Sequence, residues 1–587
     1  MTTTWRSAFD TVKKNYELTD DALGVFAINL RFNLDDFQSI AGESITGGGD
    51  DKKCDVIYID KEREVAVIAQ CYMSSKAREA APSNKASDLN TAITWLLTVD
   101  IDSLPDSIKG RADELRAAVR AGEVKQLYIW YVHNLPGSTN VKTELAAVER
   151  AARTALSRIS SGADINIFAE EICTNELERL YVQAERTVIV TDEFEIVVTG
   201  AVEVVEDDWR SIVTAVPGKW LSALYKKHRT NLFSANLRGY LGSRDSDSNI
   251  NNGIKTTAEE EPDNFYVYNN GITALVLDYN IGKRTKSGIR IKINGISIVN
   301  GAQTTGSIGS LSESPSDDIL VLIRFVKANR EAIVENVVRY NNSQNKLQAA
   351  DFRSTDQIQD RLRTEFSKIP DAEYEGGRRG GASDAIKRSK YTLPSYTVGQ
   401  SLSAFHGDPV TAYDKKSELW TNEKNYRRIF TDRTTGRHIV FCYSLLSAIT
   451  KRRLDLTQQK KKDESALTDV EKRNLAFLDK KGAVYLLVHV VAQCMETILS
   501  ASISNKFDLH FSRNVSPAQA EDLWIPIVDM MLPLSGQLDG AFSRNRISQE
   551  TVMNTPSVSN FVGIVASLSA IHKGTFERFA KNVRNGS

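Results

Sequence analysis

The sequence predicts a multidomain chain of α/β and α+β class. It divides into an α/β sandwich over 1–185, a strand-rich mixed core over 186–450 and a helical region over 451–587. Three observations predict this. A chain of 587 residues exceeds what one hydrophobic core serves. Its first 185 residues alternate between helical and strand periodicity. From about 186 short apolar runs sit among asparagine-rich loops, and beyond about 450 the pattern turns helical.

Residues 6–36 read as two helices, with Asp20 as the cap before DDALGVFAINLRF. The run GGGDDKK (47–53) breaks that pattern, and VIYI (56–59) and VAVIAQCY (65–72) follow as strands joined by the charged turn DKERE. Helical spacing returns over 86–99, 113–123 and 144–159, with apolar strands over 125–134 and 164–171 between and after them. Helix, hairpin, helix, strand, helix, strand is the order of an α/β sandwich of one-domain length. TVIVTDEFEIVVTGAVEVV then opens the strand-rich part, and REAIVENVVRYNN (330–342) carries a helix face. KRRLDLTQQKKKDES (451–465) reads as a solvated basic segment. The apolar helix 484–503 reads as core, or alternatively as a homodimer face.

Composition bounds function. With 74 basic against 75 acidic residues, the chain is no bulk polyelectrolyte clamp, although a local basic groove would still bind nucleic acid. Cysteines 54, 71, 173, 442 and 494 form no CxxC pair, so they predict a reduced, cytoplasmic protein without a zinc site. The absence of a long apolar run predicts no membrane span. Seven scattered histidines form no HxH or HExxH. His133, at a strand end, is the one to follow, and a structural role is the expectation for it. No phosphate-binding glycine loop appears.

Two constellations carry chemistry. In the first, Asp55 precedes the first strand of the hairpin and Gln70 lies on the second, 15 residues later. Hard oxygen ligands in such an arrangement suit Mg2+, which serves phosphodiester hydrolysis. A lysine two residues after Gln70 would share its strand face, but that position holds Tyr72. Lys76 has the right parity and lies roughly 13 Å further along. Lys52 and Lys53 are the nearest alternatives in sequence. The spacing, the glutamine and the glycine-rich approach resemble the PD-(D/E)xK restriction-endonuclease superfamily. That resemblance implies a restriction-endonuclease-like fold over 1–185, with Asp55, Gln70 and Lys76 catalytic. Asp55, Gln70 and Glu43 would hold the Mg2+. A solvated turn between two structural strands is the other reading of the same residues.

In the second, LFSANLRGYLG (232–242), NFYVYNNGITAL (264–275), ISIVNGAQTTGSI (296–308) and VVRYNNSQNKLQAADFRSTDQIQ (337–359) follow in order. YEGGRRGG (374–381) and LSAFHGDPVTAYDKKSELW (402–420) come after them. Together these resemble the AIPR family, named for abortive infection and phage resistance in bacteria, over roughly 190–450. Amide side chains can grip bases and phosphates without charge, and Asn-Gly turns expose backbone N–H groups. On that reading Asn269, Asn270, Gly271, Asn300, Gly301, Gln303, Thr304, Asn341, Gln344 and Asn345 bind DNA or RNA. Arg238, Arg353, Arg378 and Arg379 would add phosphate contacts. On the alternative reading the asparagines cap loops and hold the core together.

The resemblance implies an antiviral-defence protein acting on nucleic acid, with other proteins of a phage-defence operon as partners. A Mg2+-dependent nuclease is the first expectation. A catalytically inactive nucleic-acid-binding sensor or adaptor is the second.

Overall fold

The computed structural model describes residues 4–32, 34, 36–46, 51–159, 165–185, 190–228, 232–233, 253–286, 288–311, 313–341, 353, 356–376 and 392–585. Three helices open the chain, α1 (Trp5–Asn15), α2 (Ala22–Phe32) and α3 (Phe37–Ser44). The hairpin follows at the expected places, β1 (Val56–Asp60) and β2 (Val65–Tyr72). Then come α4 (Leu89–Leu97), α5 (Asp106–Arg120), β3 (Gln126–His133), α6 (Thr139–Ile159), β4 (Asn166–Ile172) and α7 (Thr174–Glu185).

β1 to β4 form a sheet in chain order, antiparallel in the hairpin and parallel from β2 onward. Both faces are covered, which is why the strands read as continuous apolar runs. Ile57, Ala66, Ile68, Leu127 and Ile129 face one buried cluster, shared with Ile93, Leu115 and Val148 of the helices 89–159. Val56, Val67, Tyr128, Trp130 and Val132 face the other, against Phe9, Phe26 and Leu177. The first part of the chain is thus a three-layer α/β/α sandwich.

A second sheet has seven strands, β5 (Val190–Val198), β6 (Ala201–Val205), β7 (Trp209–Pro217), β8 (Ile272–Leu275), β9 (Asp278–Thr285), β10 (Gly288–Asn300) and β11 (Leu320–Ala328). Its order is β5-β10-β8-β11-β7-β6, with β9 also on β10. The helix α8 (Gly218–His228) and the short α9 (Ala302–Gly309) pack with it, and α10 (Glu331–Asn341) follows β11.

The remainder is helical around one large core that runs from Leu362 to Phe579. Its main elements are α11 (Gln357–Phe366), α12 (Ser395–Phe405), α13 (Gly436–Lys462), α14 (Ala483–Gln493) and α15 (Pro517–Met531). The helical part therefore begins well before 451, and α13 crosses the boundary that the sequence pattern suggests there. The segment 451–465 corrects the expectation of a solvated basic segment. Most of it is the second half of α13, with Arg453, Leu454, Leu456 and Thr457 buried. Its lysines end a helix whose other side is packed, a distinction that local composition does not carry. Among the described residues no helix is long and apolar enough to cross a membrane.

Candidate active site

Asp55 sits where the hairpin begins, and its backbone is fixed on both sides. Its N–H donates to the Ala69 carbonyl (2.9 Å), and its carbonyl accepts from the Thr46 N–H (3.0 Å). Its carboxylate Oδ2 accepts from the Cys71 N–H (2.8 Å), so the side chain is held beside the strand that carries Gln70. Immediately upstream, Lys52 and Lys53 both have positive φ (54° and 68°), a strained turn of two non-glycine residues.

Those two lysines have other neighbours. Lys52 lies over the Trp95 ring (4.3 Å to the centroid), and Lys53 is 3.9 Å from Asp88. Lys76 is exposed beyond the end of β2. The ammonium beside Asp55 comes instead from α13. Lys461 Nζ stands 3.2 Å from Asp55 Oδ1 and 2.5 Å from Oδ2 of Asp21, the residue just before α2. All three side chains are largely buried, 12% exposed for Asp55, 24% for Asp21 and 18% for Lys461.

The electrostatics are those of an acidic cluster with too few cations. Burial raises the Asp55 carboxyl above its ordinary range, and the Asp21 charge adds to this against the pull of Lys461. Asp51 is pushed up to about 6, first by burial and then by the charge of Asp55. Burial would depress Lys461, but Asp55 and Asp21 outweigh it and hold the ammonium above its usual range. Three carboxylates against one ammonium leave an excess of negative charge that a divalent cation would relieve.

Gln70 is buried, and its Oε1 has no hydrogen-bond partner. A buried amide oxygen without a donor is costly unless something else satisfies it. Its chemistry suits a hard cation. By strand parity it shares the face of Ala66 and Ile68. Tyr72, two residues on, is half-buried and pairs with His133 across the sheet. Glu43, on α3, takes a different place: its carboxylate accepts from the Tyr485 hydroxyl (3.3 Å), and it lines a cavity with Asp60, Glu114 and Lys481. His133 is a satisfied structural histidine, its Nε2 3.1 Å from buried Glu171 and its Nδ1 accepting from the Leu135 N–H.

The second constellation is brought together by β8, β10 and β11. Gly271 and Gly301 both have positive φ (77° and 92°) and pack back to back. A Cβ on Gly301 would come within 2.9 Å of the Gly271 carbonyl oxygen, and one on Gly271 within 2.8 Å of the Leu322 carbonyl oxygen. Asn300 pairs with Thr273 in the ladder, Arg324 donates to Thr273 Oγ1 (3.1 Å) and to Asn341 Oδ1 (2.9 Å), and Asn341 donates to the Val337 carbonyl.

Asn269 donates to the Phe265 carbonyl at a helix end (3.1 Å), and Asn270 is exposed beside it. Thr304 is buried and Gln303 half-buried on α9. Arg353 is engaged by the helical core: Nε donates to the Trp420 carbonyl (3.0 Å), one terminal nitrogen meets Glu423 (2.6 Å), and the group lies 4.2 Å over the Tyr426 ring. Arg238, Gln344, Asn345, Arg378 and Arg379 lie outside the described residues.

Pattern reading missed Asp21, Asp51 and Lys461. Asp51 stood in the DDKK run, and Asp21 beside the residue read as a helix cap. No local pattern ties Lys461 to Asp55, which is 406 positions away.

No curated protein and no solved structure matches the chain. Residues 233–512 do match the model of one family, described as AIPR protein, a segment that holds NNGIT and IVNGAQT and reaches into the helical core that supplies Lys461.

Proposed function

We propose that the chain is a Mg2+-dependent nuclease of bacterial anti-phage defence in which Lys461 supplies the ammonium absent from position 72. The defence role rests on the AIPR match, which suggests abortive infection. The nuclease reading rests on one observation, the contact of Lys461 with Asp21 and with Asp55, whose carboxylate is held by the N–H of Cys71, the residue next to Gln70.

The residues fit a hard cation. Asp55 and Gln70 would hold it, with Asp21 at hand to share it. When bound, Mg2+ would polarise the scissile phosphate and acidify a water. The Cys71 N–H keeps the Asp55 carboxylate in one orientation. Lys461, always protonated near neutral pH, can donate to a phosphate oxygen as charge develops there. Ala69 and Cys71, through Asp55, position the site on a rigid sheet rather than on a loop. The substrate class is DNA or RNA.

A second reading is favoured by the other contacts of α13. Lys451 pairs with Glu17 (2.9 Å) and Gln458 donates to the Glu17 carbonyl, so Lys461 joins other polar contacts that fasten this helix to the N-terminal layer. On that reading Asp55 is a docking residue, and the protein is a nucleic-acid-binding sensor or adaptor without catalysis, working with other defence proteins. Cleavage of plasmid, single-stranded DNA and RNA with Mg2+ or Mn2+ by the wild type and Asp55→Asn separates the two. Cleavage lost in the variant supports the nuclease. Nucleic-acid binding without cleavage in either protein supports the adaptor.

A further inference from the structure

We propose that His406, His438 and Cys442 form a binding site for one divalent ion of the zinc class, built from two imidazole nitrogens and a thiolate with a fourth position left for water. The ligand atoms of these three residues all lie within 4.8 Å of one another. His406 Nε2 and His438 Nε2 are 2.9 Å apart, and Cys442 Sγ is 3.4 Å from His438 Nε2. The site shares α13 with Lys461 of the Asp55 cluster but uses softer donors.

Its geometry follows from the helices. His406 caps the C-terminus of α12, while His438 and Cys442 stand four residues apart on one face of α13. That i,i+4 spacing puts both side chains toward the same neighbour. His438 is fully buried, and its Nδ1 lies 2.8 Å from the Leu509 carbonyl. A carbonyl can only accept, so Nδ1 carries the proton and Nε2 presents its lone pair to His406 and Cys442. A histidine whose other nitrogen is fixed on a carbonyl is the usual way a protein presents a metal-ligating imidazole.

The two distances to His438 Nε2 are close to those a metal would impose, while His406 and Cys442 are held only within 4.8 Å of each other. Tetrahedral zinc, with Zn–N near 2.0–2.1 Å and Zn–S near 2.3 Å, sets its ligands about 3.3 Å (N to N) and about 3.6 Å (N to S) apart. The observed 2.9 and 3.4 Å therefore require the imidazoles to open by about 0.4 Å. The walls are apolar and rigid: Phe507 stacks on His406 (3.8 Å between centroids), and Phe405 packs edge-on to His438. Lys506, Arg428, Asp508 and His510 are the charged or titratable groups around the cluster.

Without an ion the cluster is neutral. His438 Nε2, left without a proton by the Leu509 carbonyl on Nδ1, accepts from the groups that face it, His406 Nε2–H and the Cys442 S–H. Binding then forms a metal–thiolate bond and releases the thiol proton to solvent, while the His406 proton moves from Nε2 to Nδ1. One proton leaves per ion bound.

The test uses the full chain, stripped with a chelator and titrated with Zn2+ and Co2+ alone. One thiolate-ligated ion should bind per chain with release of one proton, and Co2+ should develop a thiolate-to-metal charge-transfer band with tetrahedral visible bands. Cys442→Ser should abolish the charge-transfer band and weaken Zn2+ at least about tenfold, the lower end of what loss of even an outer partner costs. Asp55→Asn should leave the charge-transfer band unchanged. A wild type whose Co2+ spectrum lacks the thiolate band, or a Cys442→Ser protein that binds Zn2+ as tightly as the wild type, would overturn the proposal. The wild-type spectrum and proton release decide the matter even if the variant folds poorly.

Discussion

Lys461 Nζ lies 3.2 Å from Asp55 Oδ1 across 406 residues of sequence, so the end of a long helix in the C-terminal part completes a charge cluster on the N-terminal sheet. The same ammonium reaches Asp21 at 2.5 Å. The hairpin motif and the helical core are therefore one electrostatic unit, and changes at Lys461 should be felt in both.

Lys461→Met leaves two buried carboxylates without their cation. Removing one partner of a buried pair costs about 3 kcal/mol, because the remaining charge stays desolvated. Denaturant unfolding should show that loss, and Asp55→Asn in the same chain should recover part of it. Additive losses in the double variant would mean that the two groups do not interact.

Arg353→Ala should lower stability and leave nucleic-acid affinity and its salt dependence unchanged. Its donors are spent on the Trp420 carbonyl and Glu423, and its face on Tyr426. A phosphate-binding arginine would instead reduce the slope of log K against log salt by about one. Binding titrations at several salt concentrations distinguish the two.

Gly271→Ala and Gly301→Ala each force a side chain into a left-handed backbone and against a carbonyl oxygen. Each should destabilise by about 1–3 kcal/mol, the range for such backbone strain. Because the Gly301 Cβ would meet the Gly271 carbonyl, the double variant should fall short of the sum. Thermal or denaturant unfolding of the three variants checks this.

His489 is buried, and burial, followed by the Lys506 charge, depresses it to about 4. The unfolded chain takes up its proton near 6.5, so between about 6.5 and 4 the unfolded state binds more protons than the folded one. The stability that this group contributes is present above about 6.5 and is lost as pH falls to about 4, on the order of 3 kcal/mol in all. His489→Gln should flatten the stability–pH curve over that window, as read from unfolding at pH 7 and pH 4.5.

How far the sequence discloses this depends on range. The strands 56–60 and 65–72 were legible because apolar, β-branched runs flank a charged turn, and that pattern needs no information from elsewhere. The paired glycines at 271 and 301 were legible as turns, but their mutual packing was not, since β8 and β10 meet only in the folded sheet. Asp55 and Gln70 stood out by spacing. Lys461 did not, because the polar run 457–463 gives no sign that one lysine turns inward while Lys462 stays exposed. His438 and Cys442 show helical spacing in HIVFC, yet His406 joins them only through the packing of α12 on α13.

The most direct test is cleavage of single-stranded DNA, plasmid and RNA with Mg2+ by the wild type, Asp55→Asn and Lys461→Met, each first checked for folding. The account predicts cleavage by the wild type and a loss of about a hundredfold or more in both variants, since each removes several kcal/mol of transition-state stabilisation. Cleavage that persists in Lys461→Met at the wild-type rate would contradict it.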